Sequence, residues 1–427
     1  MTLQDILDPL LDASWKGFPH HSPPLRRSAV GTQGWNVLRG DLPLPLAVIR
    51  RDALAGNLQW MQDFVGSHGV SLAPHGKTTM SPQLFRRQLD AGAWGLTFAT
   101  VTQLRAGVTA GAKRCLIANQ VFQAVDLQGI ADLKRSHTGL SVAFLVDSLA
   151  QAELIEAWYT ANPHAQPFDV LLEIGVDGGR TGCRSHGQAL ALAQRLGACK
   201  GTRLVGIECY EGLGATGQSD ADTAYANALM QRVRDIAKAC DEQQLFETQE
   251  ILLTAGGSAI FDLVAEHLKM KLSRPVLGLL RSGCYVTHDH GTYHRFMNAV
   301  AARMGCGHGL HAAMEVWAAV QSCPEPGLTI LSVGKRDISY DLELPVPLGL
   351  CKAGETAMMP APADWKITGL NDQHAYLRGS GPEHQALRVG DLVALGISHP
   401  CTTFDKWRWM PVVDEQTNVC DAIVTCF

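Results

Sequence analysis

Short apolar runs recur at nearly even spacing between residues 46 and 254, and each is followed by a stretch with helical periodicity. The runs are Leu46 to Ile49, Val70 to Ala73, Trp94 to Ala99, Arg114 to Ala118, Ser141 to Val146, Phe168 to Ile174, Arg203 to Cys209 and Glu250 to Thr254. They are nearly continuous rather than alternating, which marks strands buried on both faces, as in a parallel sheet. The helical stretches carry their own start and stop signals: Asp52, Thr100 and Ser148 as caps, Gly92 and Gly111 as ends. Eight such strand–helix units in about 210 residues predict an α/β fold of the (β/α)8 barrel type. A doubly wound sheet would require a glycine-rich dinucleotide fingerprint after the first strand, and RRDALAGN is not one.

After about residue 290 the texture changes to short strands and turns, as in LTILSVG, ISYDLELPVP and DLVALGIS. The expected organisation is an N-terminal arm over 1–44 that packs on the β domain, a barrel over 45–290, and a mostly β C-terminal domain over 291–427. With 427 residues, 46% of them hydrophobic, the chain can build a large core. A net charge of -5 without a long basic run argues against a nucleic-acid partner. No apolar stretch reaches the roughly 20 residues of a membrane span, so no membrane partner is expected. The opening MTLQDILDPLLDASWKG lacks the apolar centre of a secretory signal. The 12 cysteines are scattered without framework spacing, the pattern of reduced thiols in a cytoplasm.

The stretch VSLAPHGKTTMSP, Val70 to Pro82, carries the first chemical signal. A strand ends at Pro74, then come His75, Gly76 and Lys77, and a helix starts with Ser81 as N-cap and Pro82 at its first position. Lys77 therefore lies beyond the C-terminal end of a strand, which in a barrel is the catalytic face. A lysine there is either a Schiff-base nucleophile or a solvated loop residue. In EIGVDGGRTG, Glu173 to Gly182, glycines permit close backbone approach and Arg180 is a fixed cation; the plain alternative is a glycine-rich turn. TAGGSAI, Thr254 to Ile260, puts Gly256, Gly257 and Ser258 just before a helix, where backbone N–H groups bind phosphate. LRSGCY, Leu280 to Tyr285, brings Arg281, Gly283, Cys284 and Tyr285. Far downstream, SHPCTTFD places His399 and Cys401 at i and i+2, one face of an extended segment, where a nitrogen and a thiolate suit Zn2+. His288 and His290 form a second candidate pair for a metal.

Taken in order, the PHGKT loop, EIGVDGGRTG, GGS and RSGCY resemble the alanine-racemase-like barrels that bind pyridoxal phosphate (PLP). Within them the chain is most similar to the group of D-serine dehydratases (D-serine deaminase-like) and D-threonine aldolases, over about residues 40–427. Many members have Arg at the position of Ala73 and His-Lys at Thr79-Met80, so the surroundings of Lys77 depart from the group. The resemblance implies PLP on Lys77 beside His75, with its phosphate held by Gly256, Gly257, Ser258, Gly283 and Cys284 next to Tyr285. It places Arg180 near the phenolic oxygen and leaves Tyr210 or Arg281 as the partner of the pyridine nitrogen. His399 and Cys401 would hold Zn2+ rather than Mn2+ or Mg2+, since the dehydratases carry His-x-Cys and the aldolases usually His-x-Asp. A homodimer and a small-molecule D-amino acid substrate are implied as well. The expected activity is dehydration of a β-hydroxy D-amino acid such as D-serine to a 2-oxo acid and ammonia. The alternatives are D-threonine aldolase cleavage, racemisation with Tyr293 or Tyr340 as second acid/base, and a non-enzymatic PLP carrier.

Overall fold

A computed structural model of the chain describes residues 3–307 and 309–427. Eight parallel strands form one curled sheet: Ser71–Leu72, Leu96–Phe98, Arg114–Gln120, Ser141–Val146, Phe168–Ile174, Thr202–Tyr210, Ile251–Gly256 and Val276–Leu280. The last pairs with the first, Leu280 opposite Leu72. The ring closes between the first and second, where the Trp94 N–H donates to the Leu72 carbonyl at 2.8 Å and the Thr97 N–H to the Pro74 carbonyl at 2.9 Å. Inside lies an apolar layer that includes Leu116, Leu145, Leu171, Leu252 and Leu279, so the barrel is a packed core and not a pore.

The barrel expected from the apolar runs is present, with one strand exchanged. Leu46–Arg50 is buried yet lies outside the barrel. It pairs antiparallel with Met314–Glu325, Leu46 opposite Trp317, and parallel with Trp409–Val413. An apolar run reports burial on both faces and not which sheet provides it. The barrel's eighth strand is Val276–Leu280, and the helix before it, Phe261–Ala265, is too short for a helical period to register.

The helix signals act locally as their chemistry requires. Ser81, Thr100, Ser148 and Ser185 each accept a hydrogen bond from the N–H three residues on. Asp52 is the exception: it sits inside the first turn of Arg51–Ser67, where the helix dipole favours a negative charge, and not at the cap. No helix among the described residues is long and apolar enough to cross a membrane.

The second sheet is built on Met314–Glu325, which pairs with Leu46–Arg50, Leu328–Leu331 and Leu392–Gly396. Part of the N-terminal segment lies on it. The Val419 N–H donates to the Trp35 carbonyl at 2.9 Å, and Arg27 pairs with Asp421 at 2.6 Å. Leu392–Gly396 runs toward the barrel mouth and delivers Ser398 to Cys401 there, with the Ile397 carbonyl accepting from the His290 N–H at 2.9 Å.

Gly206 of the sixth barrel strand shows how closely the strands pack. A Cβ there would lie 2.0 Å from the Leu252 carbonyl oxygen of the next strand. Backbone in a closed ring cannot step aside, so Gly206→Ala is expected to cost about 1–3 kcal/mol or more. The denaturant midpoint should fall accordingly; an unchanged midpoint would show that the strand can shift.

Candidate active site

The C-terminal ends of the barrel strands converge on a cleft lined by His75, Lys77, Arg180, Tyr210, Gly256 and Arg281, among others. Gly76–Thr78 forms a single tight turn between the first strand and the helix capped by Ser81. Gly76 is required in it, because a Cβ would fall 2.6 Å from the Phe98 ring and 2.8 Å from that of Phe85. Two aromatic rings thus pin the turn, and Lys77 is left exposed on the cleft side. The His75 ring keeps a buried Nδ1 without a partner. Burial, then the charges of Lys77 and Arg281, hold this imidazole well below its ordinary pKa, so it is neutral.

Arg281, the first residue after the eighth strand, is buried and ion-paired to Glu208 of the sixth. Its Nη2 also donates to the Cys209 carbonyl at 3.1 Å. Burial takes Glu208 up to about 7 against the pull of Arg281. The Nε and Nη1 of Arg281 have no partner, nor does Glu208 Oε2. Buried N–H donors left over in a cleft are a place for an acceptor to bind. Gly256 lets the end of the seventh strand pack against this guanidinium, since a Cβ there would meet Arg281 Nη2 at 2.6 Å.

Gly257 has φ +125° and begins the turn that contains the half-buried Ser258. The Ser282 hydroxyl donates to the Gly257 carbonyl at 2.6 Å and ties this turn to the RSGCY loop. At Gly283 a Cβ would lie 2.6 Å from the His75 carbonyl oxygen, so RSGCY abuts PHGKT. On the other side, the fifth-strand loop is folded back by the Thr181 hydroxyl, which donates to buried Glu173 at 2.6 Å. The Arg180 guanidinium lies 4.9 Å from the centre of the Tyr210 ring. Tyr285 does not join the others: it is buried, and its hydroxyl accepts from Gln88 at 3.2 Å.

The downstream pair reaches the same place by a route other than the expected one. The segment is not extended: His399 is in a loop and Cys401 opens a helical turn, Cys401–Phe404. The bend still brings the two side chains close to each other. His399 Nδ1 is 2.6 Å from Asp341 Oδ2, and the other Asp341 oxygen accepts from the Thr402 hydroxyl at 2.6 Å. That leaves Nε2 for a metal, with the ring orientation fixed by a carboxylate. Burial opposes charge on His399, but Cys401 and Asp341 outweigh it and raise the imidazole to about 9. Its contact with Cys284 first, then those with His399 and Thr78, hold the Cys401 thiol well below its ordinary pKa against the effect of burial. Cys401 Sγ lies 3.5 Å from Thr78 Oγ1 and 3.7 Å from Cys284 Sγ.

Asp341 gave no sequence signal, being 58 residues from His399 in an unremarkable acidic stretch. Among the described residues no three His, Cys, Asp or Glu side chains gather to hold a metal. A metal held by His399 and Cys401 alone would keep its other positions for water and substrate. His288 and His290 attract no third donor, and burial takes them down to about 3 and about 4. His288 has φ +49°, with Nδ1 3.2 Å from the Asp289 carbonyl oxygen. Of the two tyrosines considered, Tyr293 is placed against Cys284, while Tyr340 is exposed, with Lys335 and Lys406 over its ring.

Residues 49–281 match the family "Alanine racemase, N-terminal domain", and residues 313–413 match "Putative serine dehydratase domain". A D-threonine aldolase of Arthrobacter sp is 26% identical over 381 residues, covering 86% of this chain and 88% of its own. A D-threo-3-hydroxyaspartate dehydratase of Delftia sp. (strain HT23) is 32% identical over 157 residues, 36% of this chain and 39% of its own. The crystal structure of a D-threonine aldolase from Filomicrobium marinum has a TM-score of 0.74 at 23% identity, covering 90% of this chain and 95% of that one.

Proposed function

The chain belongs to the family of the alanine racemase N-terminal domain and carries a serine dehydratase-like domain behind it, and from this we propose that it is a PLP-dependent lyase of β-hydroxy D-amino acids. Its preferred reaction in this reading is dehydration of a substrate such as D-serine to a 2-oxo acid and ammonia. One observation carries the proposal: the C-terminal sheet brings Cys401 to within 3.5 Å of the hydroxyl of Thr78, the residue after Lys77. This contact sets Cys401 beside the lysine loop, which supports a single site.

When bound, PLP supplies an electron sink for charge at Cα, and a zinc ion supplies Lewis-acid help to a departing hydroxyl. The chain's own part follows from its geometry. Lys77 is the covalent anchor, and the turns at Gly256 to Ser258 and at Gly283 to Cys284 offer backbone N–H groups to a phosphate. Arg281, with two unused buried N–H groups, suits the ring nitrogen better than Tyr210 does, because it presents only donors. The Lys77 amine, once free, removes the α-proton as general base. The neutral His75 ring adds no competing charge beside it. His399 and Cys401 offer a nitrogen and a soft sulfur, a set that suits zinc better than magnesium or manganese. The reading extends to a cytoplasmic homodimer, checked by light scattering of the purified protein.

The test is release of ammonia and 2-oxo acid from D-serine and 3-hydroxy-D-aspartate, with and without a chelator, beside release of glycine from D-threonine. The expected result is 2-oxo acid that disappears on chelation and returns with Zn2+. Glycine alone would favour the aldolase, the reading supported by the 26% identity that covers 86% of the chain. Release of neither product would overturn the lyase reading.

Asp341 provides a narrower check. Asp341→Asn removes the charge that orients His399 and is expected to weaken zinc binding about 10–100-fold, read by competition with a chromophoric chelator. Unchanged affinity would take Asp341 out of the site.

A further inference from the structure

We propose that Glu211 forms the floor of the phosphate-binding turn and enters the cofactor-loaded protein as the neutral acid, donating its proton to a phosphate oxygen. The inference rests on the PLP reading above. Glu211 follows Tyr210 at the end of the sixth strand, and its N–H donates to the Gly256 carbonyl at 3.0 Å, where the glycine turn begins. The side chain runs against that turn. A Cβ on Gly257 would fall 2.2 Å from the Glu211 carboxyl carbon and 2.2 Å and 2.4 Å from its two oxygens. The residue is 1% exposed, and neither carboxyl oxygen has a well-formed hydrogen bond. The Ala259 and Ile260 N–H groups of the same turn are the polar groups that approach it.

A buried carboxyl without a strong partner is costly unless something completes it. Two arginines near it are held by other carboxylates. Arg281 is held by Glu208, and Arg303 grips Asp262 through both oxygens at 2.7 Å and 2.8 Å. The groups that face Glu211 are Tyr210, Tyr225, Cys209, Asp262 and Arg281, of which only Arg281 is a cation. Burial raises the Glu211 carboxyl to about 8, so at neutral pH it holds its proton. A carboxylate beside a phosphate dianion would repel it. A carboxylic acid has one O–H to donate to it.

The sign follows. Loading selects the protonated acid, so affinity is complete below about pH 8 and declines as Glu211 ionises above it. The test uses the full chain stripped of cofactor, as wild type and as Glu211→Gln. Each is titrated with PLP between pH 7 and 9.5 and followed by the absorbance of the lysine-bound cofactor. Every other pH dependence of binding is common to both proteins, so the ratio of their dissociation constants isolates Glu211. The expected ratio is within about threefold of one at pH 7 and grows in the glutamine variant's favour by about tenfold per unit above pH 8. A flat ratio across the range, or a variant more than tenfold weaker at pH 7, would overturn the proposal. In the loaded wild type, the infrared spectrum should show the carbonyl stretch of a protonated carboxylic acid that the variant lacks; its absence from wild type would also overturn it. If wild type binds no PLP at any pH, the functional reading itself fails and this proposal with it.

Discussion

Lys77→Ala is expected to abolish covalent attachment of the cofactor and to lower turnover of a β-hydroxy D-amino acid by at least about 10²–10⁴-fold, the range for loss of a general base alone. The true loss should be larger, because the same amine is both anchor and base. The clearest readout is chemical. After borohydride reduction and denaturation, wild type should retain cofactor absorbance on the chain and the variant should release it. Cofactor that stays on the alanine variant would sink the assignment. The control is stability. Lys77 is exposed on its turn, so its side chain buries little and the free energy of unfolding should change by no more than about 0.5 kcal/mol. A variant that both unfolds and loses cofactor would implicate the turn instead, which Gly76 holds between Phe85 and Phe98.

What the chain reveals before folding depends on how far apart the cooperating residues are. The Lys77 turn was legible because strand end, proline, glycine, lysine and N-cap lie within one stretch, and Ser81 caps the helix as its position requires. The apolar runs gave the barrel, but Leu46–Arg50 shows their limit. Its burial comes from Trp317 and Val412 in another sheet, which local hydrophobicity cannot distinguish from barrel neighbours. The reverse holds for Val276–Leu280, a strand whose preceding helix has only five residues. His399 and Cys401 do come together, but through a helical turn at Cys401 and not through the extended segment that their i, i+2 spacing predicts. Asp341 and Glu211 were silent. A lone acid in a polar stretch carries no pattern, and only the fold places one against His399 and the other beneath Gly257.

The two halves of the site can be separated by changing the leaving group. If His399 and Cys401 hold the metal as proposed, Cys401→Ala removes one of its two protein donors and is expected to lower D-serine dehydration by about 10²–10⁴-fold, the rate equivalent of the several kcal/mol a Lewis acid supplies. Hydroxide leaves poorly, so it feels that loss in full. Chloride leaves without such help, so β-chloro-D-alanine should lose ammonia with a rate within about tenfold of wild type. Cofactor affinity should largely hold as well, because Cys401 meets Cys284 through the two sulfurs, 3.7 Å apart, while the phosphate would be held by the backbone N–H groups of the Cys284 turn. The residue is only partly buried, so the fold has little to lose. Equal loss on both substrates would mean that Cys401 supports the Lys77 turn through its 3.5 Å contact with Thr78 and not the departing hydroxyl. Loss on D-serine alone, reproduced in wild type by a chelator, would tie the His399–Cys401 pair to the one step that separates a dehydratase from a bare PLP site.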